Sequence, residues 1–142
     1  MFKTILVAVD INDESSAKAV LSAAVKIGKD SGAELHVLGV VPDLEMPIVA
    51  QFFPDDFEKK AVDKAGQQLE ALCAKNIPSG MSAKTHVGIG RVYNVIMSRA
   101  NKVKADLIVV GAHDAGLQDY LVGSNARKVV AHAKQSVLVI RG

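Results

Sequence analysis

The chain has 142 residues, 49% of them hydrophobic and 23% charged, and a chain this long buries roughly 70% of the surface its unfolded form exposes. A single packed domain over 1–142 is therefore expected, and the composition argues against disorder. Seventeen Lys and Arg against fifteen Asp and Glu leave a net charge of +2, too even to capture nucleic acid or a membrane surface by bulk attraction.

In chain order, Ile5-Leu6-Val7-Ala8-Val9 is a continuous apolar run that ends at Asp10. A run without alternation suits a strand covered on both faces, as in a parallel sheet. The segment ahead of it lacks a basic stretch followed by an apolar core and cleavage site. No apolar stretch approaches a membrane span, so a cytoplasmic protein is expected. Asn12-Asp13-Glu14-Ser15-Ser16 is rich in capping residues. It leads into Ala17, Val20, Leu21, Ala24, Val25 and Gly28 at helical spacing, with Gly32 as the stop. A second apolar run over 35–41 completes a strand–helix–strand unit.

Residues 42–55 break this rhythm, with Pro42, Pro47 and Pro54 around Met46, Ile48, Val49, Phe52 and Phe53. A connection this long in a small domain is commonly functional. It reads equally as a flap over a site, a subunit contact, or a segment packed on its own domain. Asp55-Asp56 then cap a helix with Phe57, Ala61, Ala65, Leu69, Leu72 and Cys73 on one face. Cys73, the only cysteine, is expected to be a buried structural thiol. Lys84-Thr85-His86-Val87 is a more polar strand, expected at or near a sheet edge. Val92, Val95, Ile96, Ala100 and Val103 form a third helical stripe, 106–110 a buried strand, Ala126, Val129, Val130 and Ala133 a fourth stripe, and 136–140 a last strand.

The alternation βαβαβαβαβ predicts an α/β fold, a doubly wound five-stranded parallel sheet with helices on both faces. In such sheets ligands bind beyond the carboxyl ends of the strands. Asp10, Val40-Val41-Pro42, Gly88-Ile89-Gly90 and Gly111-Ala112-His113-Asp114 are thereby the candidate positions. Gly123-Ser124-Asn125 directly precedes the fourth helical stripe. Backbone N–H groups and the helix dipole make such a position receptive to anions, and the Ser124 hydroxyl adds a donor. Gly111 is expected to allow a sharp turn after its strand. The four histidines show no metal-ligand spacing, there is no P-loop motif, and no nucleophile–base pair stands out.

Together Ile5-Leu6-Val7-Ala8-Val9-Asp10, Ala105-Asp106-Leu107-Ile108-Val109-Val110-Gly111-Ala112-His113, Leu121-Val122-Gly123-Ser124-Asn125-Ala126 and the tail 129–141 resemble the universal stress protein family, over essentially the whole chain. The resemblance implies strand order 3-2-1-4-5, a Rossmann-like fold of the adenine nucleotide alpha hydrolase type. It implies ATP or AMP as the bound nucleotide, with or without magnesium. Gly111, Gly123 and Ser124 match the family's phosphate-holding glycine motif, with Asn125 alongside. Asp10 matches the acidic residue facing the ribose and Val40 the position addressing the adenine; His113, close behind Gly111 in sequence, reads equally as a phosphate contact or as a loop histidine in solvent. The second glycine of the motif falls on Asp114, and eight residues rather than nine separate it from Gly123, as in a short-loop G-S-N subgroup. The resemblance further implies a homodimer through the C-terminal strand. Three readings of the function stay open: a nucleotide-binding regulatory or stress-response protein, a stress protein acting only through dimer and partner contacts, and a slow ATPase or autophosphorylating protein.

Overall fold

A computed structural model of the chain describes residues 1–41, 57–112 and 123–142. The 42–55 connection, His113, Asp114 and the position of any loop they form lie outside the described residues. In chain order the elements are β1 (Thr4–Val9), α1 (Glu14–Ser31), β2 (Glu34–Val41), α2 (Phe57–Asn76), β3 (Ala83–Ile89), α3 (Val92–Lys102), β4 (Leu107–Gly111), α4 (Ser124–His132) and β5 (Ser136–Ile140). The strands form one parallel sheet in the order β3-β2-β1-β4-β5, as expected.

Successive strand side chains point to opposite faces, and the two faces hold separate cores. Ile5, Val7, Leu35, Val37 and Val109 pack against α1 and α2 through Val20, Leu21 and Leu69. Leu6, Leu38, Ile108 and Val110 pack against α3 and α4 through Ile96 and Val129. This two-sided burial is why β1, β2 and β4 read as unbroken apolar runs. Each fully buried Leu or Ile contributes about 1.5–3 kcal/mol.

Local chemistry sets the ends of the elements. The Asp13 side chain accepts the Ser16 amide and starts α1. Gly32 ends it in the left-handed conformation, φ +63°, where its missing Cβ avoids strain. β4 begins one residue later than the apolar pattern suggests, because Asp106 is occupied in a cap. Its carboxylate accepts the amides of Lys3 at 2.9 Å and Thr4 at 3.1 Å. That contact ties the start of β4 to the start of β1 and sets their register. The Cys73 thiol is half-buried. Burial, helped by the Glu70 charge, pushes its pKa up to about 11, so it stays protonated and unreactive at neutral pH.

One polar cluster is built into the sheet. His36 on β2 is only 7% exposed, and its Nδ1 lies 2.8 Å from Nε2 of His86 on β3. The rings stack at 5.0 Å, and His36 Nε2 lies 3.0 Å from Glu34 Oε1. A single assignment satisfies the chain: His86 Nε2–H donates to His36 Nδ1, and His36 Nε2–H donates to Glu34. Protonating both histidines would set two N–H donors against each other across this contact. Burial lowers both histidine pKa values. For His36, Glu34 opposes this while Lys84 and Arg99 reinforce it. For His86, Arg99, His36, Lys84 and Lys102 all add to it. The unfolded chain takes up protons from about pH 6.5, whereas the folded chain takes them up only at lower pH. Stability should therefore be complete above pH 6.5 and fall as pH drops through the depressed values. Thermal melts between pH 7.5 and 5.0 check this: the melting temperature should fall on acidification, and more steeply than for His86→Gln, whose side chain cannot charge. Equal slopes for the two proteins would remove the histidine pair as the cause.

Candidate functional site

The carboxyl ends of β1, β2 and β4 open into a cleft of about 320 Å³, toward the small end of the range for ligand sites. Its walls include Asp10, Asn12 and Ser16 on one side, Val40 at the end of β2, Gly111 at the end of β4, and Asn125 and Ala126 at the start of α4. Val92 and Ile96 of α3 close the far wall. Four residues singled out from the sequence, Asp10, Val40, Gly111 and Asn125, thus line one cavity. Gly123 and Ser124 stand immediately beside it at the mouth of α4.

Asp10 is exposed and turns the chain out of β1. Its Oδ1 accepts the Asn12 amide at 2.9 Å, and its carbonyl accepts the Asp13 amide at 3.1 Å. The capping duty for α1 falls on Asp13, so the second Asp10 carboxylate oxygen has no partner among the described residues. Gly111 carries no positive φ, so a sharp turn is not what requires glycine there. Its requirement is clearance: a Cβ would sit 3.2 Å from Ser16 Oγ and 3.4 Å from Val20 Cγ2.

The start of α4 is organised by three long-range bonds. Ala112 N–H donates to the Ile140 carbonyl and Gly123 N–H to the Ala112 carbonyl, both at 2.8 Å. Asn125 Oδ1 accepts the Tyr93 amide at 3.1 Å, pinning the first turn of α3 to the first turn of α4. The Gly123 amide is therefore spent inside the fold. The first intrahelical bond runs from Arg127 N–H to the Gly123 carbonyl, so the amides of Asn125 and Ala126 have no acceptor within the helix. Asp10 is the only charged side chain among the described lining residues. Attraction for an anion here has to come from backbone amides and the α4 dipole rather than from lysine or arginine.

Asn12, Ser16, Val92 and Ile96 were not singled out from the sequence. Asn12 and Ser16 sit in a cluster that reads as helix caps, and Val92 and Ile96 in a stripe that reads as core. Asn12 and Ser16 carry a positional signal, since both lie in the first turn or two after β1, whose end opens into the cleft; Val92 and Ile96 follow β3, whose end does not line it.

Among the described residues no helix is long and apolar enough to cross a membrane. A model of the universal stress protein family matches residues 1–141. Universal stress protein G of Salmonella typhimurium is 32% identical over 144 residues, covering 99% of this chain and all of the relative. Universal stress protein UspA from Lactobacillus plantarum is 30% identical with a TM-score of 0.73, covering 98% of this chain and 97% of that one. The universal stress protein from Archaeoglobus fulgidus in complex with dAMP shares the fold, with a TM-score of 0.61 at 23% identity and 98% of each chain covered.

Proposed function

The chain belongs to the universal stress protein family, and on that premise we propose that the cleft at the ends of β1, β2 and β4 binds an adenine nucleotide, ATP or AMP, in a regulatory or stress-response role. The observation that carries this reading is the convergence of Asp10, Val40, Gly111 and Asn125 on one cavity at the start of α4. A relative of the same fold forms a complex with dAMP, and the residues here suit that class of ligand. The Asp10 carboxylate has an oxygen available for ribose hydroxyls. Val40, Val92 and Ile96 offer apolar surface to a base. The amides of Asn125 and Ala126 at the start of α4 suit phosphate oxygens.

Calorimetry on protein stripped of co-purified nucleotide tests it, with AMP and ATP, with and without Mg²⁺. The magnesium arm matters because a divalent ion would offset the Asp10 charge against the phosphates. Binding should weaken about tenfold to a hundredfold in Asp10→Ala, the loss of a hydrogen bond to a charged group. No heat from any adenine nucleotide would end the reading.

We also propose a two-fold homodimer through β5. Among the described residues the strand pairs only with β4, and Val137, Leu138, Val139 and Ile140 remain half-exposed. An apolar free edge favours pairing with a second chain. Light scattering should give a dimer mass for the native chain and a monomer mass for Val139→Lys. A native monomer at micromolar concentration would refute the interface.

A further inference from the structure

A second cleft, of about 570 Å³, lies on a stripe of α3 neighbouring the one that lines the cleft at Asp10. It runs between α3 and the end of β3 and is lined by Gly88, Ile89 and Gly90 below and by Arg91, Ser98, Arg99 and Lys102 along the helix, with Asn94 and Val95 among them. Among the described residues that line it are three cations and no carboxylate. Arg99 and Lys102 also act electrostatically on His86, which places their charge against β3.

Two features of this cleft point to the same kind of occupant. The first is the sheet edge. β3 pairs with β2 and with no other strand among the described residues, so its outer N–H and C=O groups form a template for an added strand. The second is charge. Arg99 and Lys102 lie three residues apart on one stripe of α3 and line the cleft beside an edge whose backbone groups a peptide can use. Ile89, 37% exposed, supplies apolar surface at the end of the strand.

We propose that the β3 edge and the basic cleft above it form a docking site for an acidic, extended peptide segment of a partner protein, added to the sheet as a sixth strand. Backbone bonds to β3 would fix the peptide. Acidic side chains at alternate positions would point to the α3 side and meet Arg99 and Lys102. The site shares α3 with the nucleotide cleft but none of its lining residues, so it stands or falls independently of nucleotide binding.

The probe is a fluorescently labelled octapeptide of alternating Glu and Val, titrated with the full chain and followed by anisotropy. Binding should be saturable and should weaken with salt. The double variant Arg99→Glu, Lys102→Glu should lose at least tenfold in affinity while keeping a native circular dichroism spectrum. The backbone contribution is read on the peptide, which avoids unfolding the protein. N-methylation of alternate residues in one register should cost at least tenfold, and in the other register little. Equal tolerance of both registers would mean attraction by charge alone and would overturn the proposal. So would absence of peptide binding, or inorganic polyphosphate binding at the cleft while the peptide does not. A change of oligomeric mass in the double variant would assign the edge to a second copy of this chain and equally overturn it.

Discussion

Replacing Gly88 with alanine is expected to destabilise the fold by about 1–3 kcal/mol, the usual cost of forcing one extra carbon into a packed interface. In a domain of this size that is a fall of roughly 3–10 °C in melting temperature. Gly88 pairs with Val40 across β2 and β3 and lies under α3. A Cβ there would come within 2.3 Å of Val95 Cγ1 and 3.8 Å of Leu38 Cδ1. The first distance is well inside van der Waals contact, so Val95 has to leave its rotamer or α3 has to lift from the sheet. The requirement is local, and its relief should be local too. Val95→Ala alone should cost stability by opening a hole, but combined with Gly88→Ala the two losses should largely cancel. A double-mutant cycle in urea measures this. Strict additivity of the two losses would mean that the contact is not what demands glycine. The prediction bears on function because α3 is the wall between the two clefts, and lifting it would alter both.

The parts of the fold legible in the sequence are those where local pattern and tertiary environment agree. β1, β2 and β4 read as unbroken apolar runs because helices cover both of their faces. α1 was marked by the capping-rich cluster 12–16 and by Gly32; within the cluster Asp13 makes the cap, and Gly32 ends the helix as expected. β3 was marked by its polarity, and it is an edge strand, longer at both ends than its apolar core suggests. The start of β4 was legible only to within a residue, because the cap that Asp106 gives Lys3 and Thr4 joins positions about a hundred residues apart. The same reasoning divides the candidate site. Asp10, Val40 and Gly111 follow from topology alone, since each ends a strand at the face where such sheets bind ligands. The bonding of the Gly123 amide to Ala112, and of Asn125 to Tyr93, depends on which segments meet in space. A glycine in a motif signals a backbone requirement, but whether that requirement is a turn, a free amide or clearance is decided by its neighbours. At Gly111 it is clearance.

That distinction makes Gly111→Val the most damaging single change for the proposed nucleotide site. The Cβ alone would meet Ser16 Oγ at 3.2 Å and Val20 Cγ2 at 3.4 Å. Alanine should therefore be accommodated by a small rotation of the Ser16 hydroxyl, with near-native stability and a modest loss of affinity. Valine adds two methyl groups where β4, α1 and the start of α4 meet around a cavity of about 320 Å³. They would fill space that a ribose or phosphate needs. β-Branched residues suit a strand, so the backbone itself should tolerate the change. Affinity for AMP or ATP should fall more than a hundredfold, with a native circular dichroism spectrum and an unchanged oligomeric mass. Gly111→Ala separates steric filling from collapse of the fold, because it introduces the same backbone restriction without the methyl groups. Ser16→Ala in the Gly111→Ala background should restore part of the alanine variant's loss, since it removes the nearest neighbour. If Gly111→Val binds nucleotide as the native chain does, the ligand lies elsewhere, and the cleft between Asp10 and α4 is not where this protein holds it.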